Sequence, residues 1–263
     1  MLELLNVHWP AEALTMPKAN CIVSTMPSIA TDTARVVADI RSLPGFAAPI
    51  DYDEFSYASL PLCILDAIFS INARWEAVRA AVRRYANHYA LPLTHESGTL
   101  PPREGQATVH DLIQQITSLG SDRFASEVMR NRSRTSSRGG ILKAEAALNF
   151  AEVLNDHGIQ TLQDMSEHLL DTGLESDLRQ VHGQASGIST RYFYMLAGAH
   201  HLIKPDRMMI RYLARVLDRP VAPAEAQDIV GAAAAILQLE KPGITAQLID
   251  AAIWTYERQR SRT

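Results

Sequence analysis

The residue with the clearest chemical potential is Asp206, in the run IKPDRMM at the start of an apolar helical stretch. An aspartate in this position is a preferred helix N-cap, because its carboxylate accepts hydrogen bonds from the first free amide groups. A carboxylate held still as a cap could also be catalytic, and the pattern leaves both roles open. The adjacent Lys204 and Arg207 are either solvated or paired with it.

A second candidate lies upstream, in the run GQASGIS between two helical stretches. A glycine-containing turn before a helix can expose backbone N–H groups at the positive end of the helix dipole, which makes an anion site. Gly183 and Gly187 permit positive φ angles and a close approach to phosphate. Many helix pairs turn on glycine for purely structural reasons, so a simple turn is the competing interpretation.

The distribution of charge indicates a third candidate. The net charge is −4, which argues weakly against a nucleic-acid-binding protein. Residues 123–143, however, carry six basic residues and one acidic residue. Such a stripe either binds phosphate or is a solvated loop, and the sequence favours neither.

The elements that must position these residues are predicted to be helices. Apolar residues recur at spacings of three and four along the chain, and alternating β-branched runs are absent. Such stripes predict buried helix faces. They include Trp75 to Tyr89, Val109 to Leu119, Ile210 to Leu217 and Ile229 to Ile236. Residues 1–55 show little periodicity, so we expect a partly irregular extension there.

Composition excludes several classes of protein. The 263 residues include two cysteines, which rules out a four-cysteine zinc or iron–sulfur site within one chain. The apolar runs are too short to span a bilayer. The pair His200 and His201 has no third ligand at suitable spacing, so no metal site is predicted. We expect a protein of the cytoplasm or nucleoid.

The order of these features resembles the helix-hairpin-helix DNA glycosylase superfamily, which has the endonuclease III-like fold. The hairpin HGQASG, the following helix and the aspartate of KPD occur in the order seen in that family. Upstream, LPLCILDAIFSINARWEAV is similar to an early family helix, and LIDAAIWTYERQR is similar to its closing helix. The similarity covers roughly residues 55–258 in the order of elements.

The resemblance implies an all-α, two-lobed fold. Residues 56–187 would form a central helical lobe that ends in the hairpin. Residues 188–263 would pack with the N-terminal part as a second lobe.

The resemblance also implies roles for single residues. Asp206 would be the carboxylate that stabilises positive charge on the sugar while an N-glycosidic bond breaks. The side chains expected in the base pocket or in the gap left by the flipped base are Asn72, Arg74, Trp75 and Tyr192. The residues expected to bind the DNA backbone are Gly183, Gln184, Ser186, Gly187, Ser189, Arg132, Arg134 and Lys143.

Two departures from the family pattern narrow the expected activity. The usual hairpin, Leu-Pro-Gly-X-Gly, is followed closely by a lysine in the bifunctional members, whereas Gly187, Ile188 and Ser189 stand here. No Schiff-base amine is expected at that place, so we predict a glycosylase without lyase activity. The cysteine-cluster loop is also absent, so no iron–sulfur cluster is expected, although the family pattern allows a monovalent cation at the hairpin.

The expected partner is double-stranded DNA, bound by a monomer that does not enter membranes. Two other functions remain open. The chain could be a non-catalytic module that recognises distorted duplex, or a helical scaffold that binds proteins. The sequence does not identify the base.

Overall fold

The computed structural model describes residues 29–44, 46, 56–96 and 99–260. Within these ranges the regular structure is helical, and β-type pairing is limited to two isolated bridges, Tyr57 with Thr94 and Arg134 with Leu142. The all-α prediction is confirmed for the described residues. The α-helices are α1 (Ile29–Ser42), α2 (Leu60–Phe69), α3 (Trp75–His88), α4 (Val109–Leu119), α5 (Ser121–Arg123), α6 (Lys143–Asp156), α7 (Leu162–Glu167), α8 (Thr172–Gln180), α9 (Ile188–Leu196), α10 (Arg207–Leu217), α11 (Pro223–Glu240) and α12 (Ala246–Arg260). A 3-10 turn, Arg103–Gly105, and a π-helical turn, Phe124–Val128, complete the set.

Apolar spacing located most of these helices correctly. The stripe from Val109 to Leu119 coincides with α4, whose first turn is closed by a capping box between Thr108 and Asp111. Not every stripe residue is buried: Ile236, on α11, is 40 % exposed. The prediction is wrong for Ile236 alone, because the buried face of α11 continues from Ile229 and Ala233 to Leu237.

The first of two hydrophobic clusters is centred on α2. All ten residues of this helix are buried, and α2 packs against α6 and α9. The buried residues of the cluster run from Tyr57 to Ala199 along the chain. A helix that is buried on every side must be surrounded by other parts of the chain, and here the neighbouring helices surround α2.

The second cluster joins α1 to the C-terminal helices. It contains Val36, Val37, Ile40 and Leu43, together with apolar residues between Ile203 and Ile253. Helix α1 packs against α10 and α11. The expectation of an irregular extension over residues 1–55 is therefore corrected for 29–42, because Val36, Val37 and Ile40 form a short apolar face. Residues 1–28, 45 and 47–55 of that segment lie outside the described residues.

The boundary between the clusters falls later than the sequence suggested. Helix α9 belongs to the first cluster, where the ring of Phe193 lies 5.0 Å from that of Phe150, centroid to centroid. The second cluster resumes at Ile203. The two hydrophobic clusters therefore divide at about residue 200, since α9 packs mainly on α2.

The described part of the chain contains no helix that is both long enough and apolar enough to cross a membrane.

Candidate functional site

A cavity of about 1200 Å³ lies between the two clusters. Its walls come from the end of α2, the start of α3, the hairpin before α9, the start of α10 and one face of α12. A cavity this large could hold a nucleoside-sized ligand. Five distant segments of sequence thus meet in one concave surface.

Asp206 lines this cavity and caps α10. Its Oδ1 accepts hydrogen bonds from the amide N–H groups of Met208 at 2.8 Å and Met209 at 3.2 Å. The predicted N-cap is confirmed. No described residue donates a hydrogen bond to Oδ2. Because one oxygen suffices for the cap, the second is free for other chemistry, and the two proposed roles do not compete.

Lys204 approaches the same cavity from the segment before α10. Its Nζ lies 3.6 Å from the ring centroid of Tyr192 and donates to the Oγ of Ser70 at 3.0 Å. Burial lowers the pKa of Lys204, although the nearby carboxyl groups of Asp206, Asp66 and Asp250 act in the opposite direction. Lys204 is thus a half-buried cation that lies near three acids, rather than a fully solvated one.

Asp250, on α12, is the second cavity-lining carboxyl group. Its Oδ1 accepts from the backbone N–H of Lys204 at 3.3 Å. Burial and, to a lesser degree, the negative charge of Asp206 raise the pKa of Asp250, while the charge and backbone N–H of Lys204 lower it, and together these effects bring the pKa to about 8. Asp206 and Asp250 therefore line one cavity but have different surroundings. Such a difference allows two carboxyl groups of one site to have different pKa values and different roles.

Asp66 is the third acid of this group and lies inside the wholly buried helix α2. Its Oδ2 accepts a hydrogen bond of 2.6 Å from the hydroxyl of Tyr57. Burial raises the pKa of Asp66, and the bond to Tyr57 partly offsets that rise. Tyr192 is also buried, and its hydroxyl pKa is raised well above the usual range by burial and by the charge of Asp66. Tyr192 thus lies in the cavity floor, between Lys204 and Asp66.

The cavity rim carries the other residues expected around a base. Asn72 and Arg74 are exposed and line the cavity. Asn72 has a φ of 49°, a left-handed conformation that asparagine tolerates better than most residues, and it turns the chain between α2 and α3. Trp75, at the start of α3, is partly buried.

Trp75 belongs to an aromatic group that the sequence did not reveal. Its ring lies 5.4 Å from that of Trp254 on α12, centroid to centroid. The guanidinium of Arg258 lies 4.6 Å from the Trp75 centroid and 5.1 Å from the Trp254 centroid. Trp254 and Arg258 both line the cavity and follow Asp250 by four and eight residues, so one face of α12 looks into it. Because this spacing is visible in the sequence, it could have predicted that these three side chains share one helix face.

The hairpin lies between α8 and α9, as predicted. Gly183 has a φ of 91° and Gly187 a φ of 71°, so both glycines adopt the positive φ angles that were predicted. Gly187 is the N-cap of α9 and has no side chain to bond the free amide groups. Gly183, Ser186 and Ser189 line the cavity. The hairpin therefore places the N-terminus of α9, which has no N-cap side chain, on the same cavity as Asp206 and the start of α10. The amide N–H of Ile188 donates to the Oγ of Ser186 at 3.4 Å.

Gln184 and Ser189 differ from expectation. The side chain of Gln184 is fully buried, and its Oε1 accepts from the hydroxyl of Ser189, which is also buried. These two side chains hold the hairpin together from inside. Because both side chains are buried, Gln184 and Ser189 could contact a DNA backbone only through their own backbone groups.

Lys143 requires the largest correction. Its side chain is 2 % exposed, and its Nζ donates to the carbonyl oxygens of Phe69 at 2.9 Å and Ile71 at 2.6 Å. Burial lowers the pKa of Lys143 to about 8. An ammonium group buried against the C-terminal end of α2 cannot reach phosphate, and it satisfies carbonyls that the helix leaves free.

Arg132 and Arg134 are exposed but do not line the cavity. Arg132 pairs with Asp122 through two hydrogen bonds of 2.9 and 2.7 Å, and Arg134 donates to the carbonyl of Gly140 at 2.8 Å. Their loop does reach the hairpin: a Cβ built on Gly183 would lie 2.8 Å from the Cβ of Thr135. The basic loop and the hairpin therefore form adjoining surfaces.

No group of three or more His, Cys, Asp or Glu side chains within the described residues is arranged to hold a metal ion.

Comparison with known proteins gives a family and little more. No curated protein and no solved structure matches the chain significantly. A family model described as "Domain of unknown function (DUF8548)" matches residues 22–258, which is most of the sequence. The matched region contains α1 to the last turns of α12 and so includes every residue of the cavity. The chain therefore belongs to the family of the domain of unknown function DUF8548.

Proposed function

We propose that this protein is a monofunctional DNA glycosylase-like enzyme that excises a damaged or modified base by hydrolysis of the N-glycosidic bond. The observation that carries the proposal is the position of Asp206, a helix-capping carboxylate with one free oxygen, in a large cavity next to an uncapped helix N-terminus. The two-lobed glycosylase-like fold is part of the proposal, and the two hydrophobic clusters with a cavity between them support it.

The proposed chemistry depends on the positive charge that develops on the sugar during base release. Breaking the bond between the sugar C1′ and the base nitrogen builds positive charge on the sugar, and a fixed carboxylate stabilises it without reorganising. The two N–H donors and the positive end of α10 hold the Asp206 carboxylate in place. Its free Oδ2 would face the sugar and orient the attacking water.

The rest of the cavity would bind the extruded nucleotide. A base that leaves the stack costs a few kcal/mol, which contacts in the pocket must offset. Tyr192, Trp75 and Trp254 offer aromatic surface for the base, and Asn72 offers an amide at the rim. The uncapped start of α9 and the exposed Arg74 and Arg207 would hold phosphates on either side of it.

The proposal is tested by incubating the protein with a panel of duplexes, each with one modified base, and then cleaving abasic sites with alkali. Strand cleavage that appears only after alkali supports a monofunctional glycosylase. Cleavage without alkali contradicts the absence of lyase activity. Tight duplex binding with no base release on any member of the panel would replace the proposal with the non-catalytic DNA-binding function.

A further inference from the structure

The floor of the cavity holds more acid groups than its nearest cation can balance. Three carboxyl groups, those of Asp66, Asp206 and Asp250, act on the single ammonium group of Lys204. Arg79 also acts on Asp66, so Lys204 chiefly has Asp206 and Asp250 to balance. Two carboxylates beside one half-buried ammonium would leave an excess of negative charge, which is costly. The cluster is therefore most stable when it retains protons at neutral pH.

The hydrogen bonds distinguish the carboxyl groups from one another. Asp206 accepts two backbone N–H bonds at a helix N-terminus, and both stabilise negative charge. Asp250 accepts one longer bond, from the backbone N–H of Lys204. Asp66 also lines the cavity, but it is 1 % exposed and its Oδ2 accepts from the Tyr57 hydroxyl, whereas Asp250 is only half-buried. Asp250 is thus the more accessible of the two cavity acids whose pKa is raised.

We propose that Asp250 is the general acid of the reaction, protonating the leaving base while Asp206 stabilises the sugar. This inference rests on the proposed function and adds a second catalytic residue to it. The proton on Asp250 moves to the base as the C1′–N bond breaks, and the bonding electrons stay on the base nitrogen. Water adds its hydroxyl to C1′ and gives its proton to Asp206, after which solvent exchange returns both carboxyl groups to their starting states.

The groups facing Asp250 agree with this role. The ammonium of Lys204 and the carboxylate of Asp206 lie on the segment that leads into α10, and the hydroxyl of Tyr192 faces it from α9. Burial and the charge of Asp206 raise the pKa of Asp250 to about 8, so the carboxyl is mostly protonated at pH 7. An acid with a pKa near the working pH transfers its proton efficiently.

The test compares leaving bases that need a proton with those that do not. Hypoxanthine and uracil are neutral in DNA and leave more readily when protonated, whereas N7-methylguanine and N3-methyladenine already carry positive charge. Single-turnover release is measured for the parent, Asp250→Asn, Asp206→Asn and the exposed control Asp228→Asn. Asparagine at 250 keeps the acceptor for the Lys204 N–H and removes only the proton.

We expect Asp250→Asn to lose about a hundredfold or more on neutral bases and less than about threefold on cationic ones. Asp206→Asn should lose activity on both kinds, and Asp228→Asn on neither. The parent rate on a neutral base should fall above about pH 8, the pKa of Asp250, and that fall should vanish in Asp250→Asn.

Equal losses on both kinds of base, or no loss at all, would overturn the role of Asp250 and leave the proposed function standing. If the parent releases only cationic bases, the acid role is also overturned. If it releases only neutral bases, the pH profile decides, and a parent rate that does not fall above about pH 8 overturns the acid role. Release of none of the four bases counts against the proposed function itself, and the catalytic role of Asp250 falls with it.

Discussion

At the scale of the residue, the two carboxylate oxygens of Asp206 have different tasks. Oδ1 closes the first turn of α10, and Oδ2 has no donor among the described residues. A cap contributes about 1 kcal/mol of stability, whereas an electrostatic catalytic group can contribute a hundredfold or more in rate. Because these two effects are so different in size and kind, substitution can separate them.

Lys143 gives the first residue-scale prediction. Replacing it with methionine keeps most of the buried volume but removes two hydrogen bonds to the end of α2. We expect Lys143→Met to lower the free energy of unfolding by roughly 1–3 kcal/mol, since it leaves buried carbonyls unpaired. Urea denaturation measures this, with the exposed Arg138→Gln as a control. Weaker DNA binding with unchanged stability would contradict the structural role.

The same residue predicts a dependence on pH. Burial lowers the pKa of Lys143 from 10.5 to about 8, so between these values the folded protein binds fewer protons than the unfolded chain. The unfolding free energy of the parent should therefore rise relative to Lys143→Met as pH increases from 8 to 10.5. A difference between the two proteins that is constant over this range would contradict the buried-charge account.

Single residues were predictable when their neighbours in sequence fixed their surroundings. The cap role of Asp206 and the positive φ angles of Gly183 and Gly187 are local properties, and both predictions are confirmed. The burial of Lys143 and Gln184 depends on segments far away in the sequence, so the spacing of apolar residues does not predict it. Asp66 carries a signal in the sequence, because it is an acid within the apolar run LPLCILDAIF.

At the scale of the element, the hairpin depends on close contact between segments. Gly183 has a φ of 91°, and a Cβ there would lie 2.8 Å from Thr135, whereas a Cβ on Gly187 would meet only the Arg179 side chain at 3.4 Å. Both glycines have a left-handed conformation, which would cost a replacement residue on the order of 1–2 kcal/mol. Only Gly183 adds a clash with a neighbouring chain segment.

We therefore expect Gly183→Ala to be more destabilising than Gly187→Ala, by about 1 kcal/mol or more. Chemical denaturation of the two variants gives the comparison. If both variants lose stability equally, the contact with Thr135 is not a constraint, and the basic loop is not held against the hairpin.

Helices are the part of this molecule that the sequence predicts best. Apolar residues at spacings of three and four mark α3, α4 and α10, because a helix with one buried face must repeat in that way. Helix α1 was missed, since its apolar face is only Val36, Val37 and Ile40 within an acidic segment. Its burial requires α11, nearly two hundred residues later, and periodicity cannot find such a partner.

At the scale of the whole molecule, the cavity exists because two clusters meet. Within the second cluster, Arg219 links α1 to α11 through ion pairs with Asp32 and Glu225, and the burial of Asp32 makes that link structural. The net charge of −4 would repel DNA at long range, so binding must depend on local cations. Arg74 and Arg207 line the cavity, are exposed and form no ion pair with the described acids.

Arg207 gives the whole-molecule prediction. We expect Arg207→Gln to weaken duplex binding for all sequences alike and to reduce the slope of log K against log salt by about 0.9, the loss of one phosphate contact. The matched control is Arg138→Gln, an exposed arginine outside the cavity. Fluorescence anisotropy at several salt concentrations measures both. A slope change in the control but not in Arg207→Gln would place the DNA on the basic loop instead.

The central claim is that Asp206 is both a cap and a catalytic carboxylate, and Asp206→Asn tests it most directly. Asparagine caps about as well as aspartate, so the variant should melt like the parent and bind the same duplexes at least as tightly. Removing the charge should reduce base release about a hundredfold or more on any modified duplex that the parent processes. The measurement is single-turnover base release beside a thermal melt. Parent-like release by a stably folded Asp206→Asn would contradict the account and leave Asp206 as a helix cap.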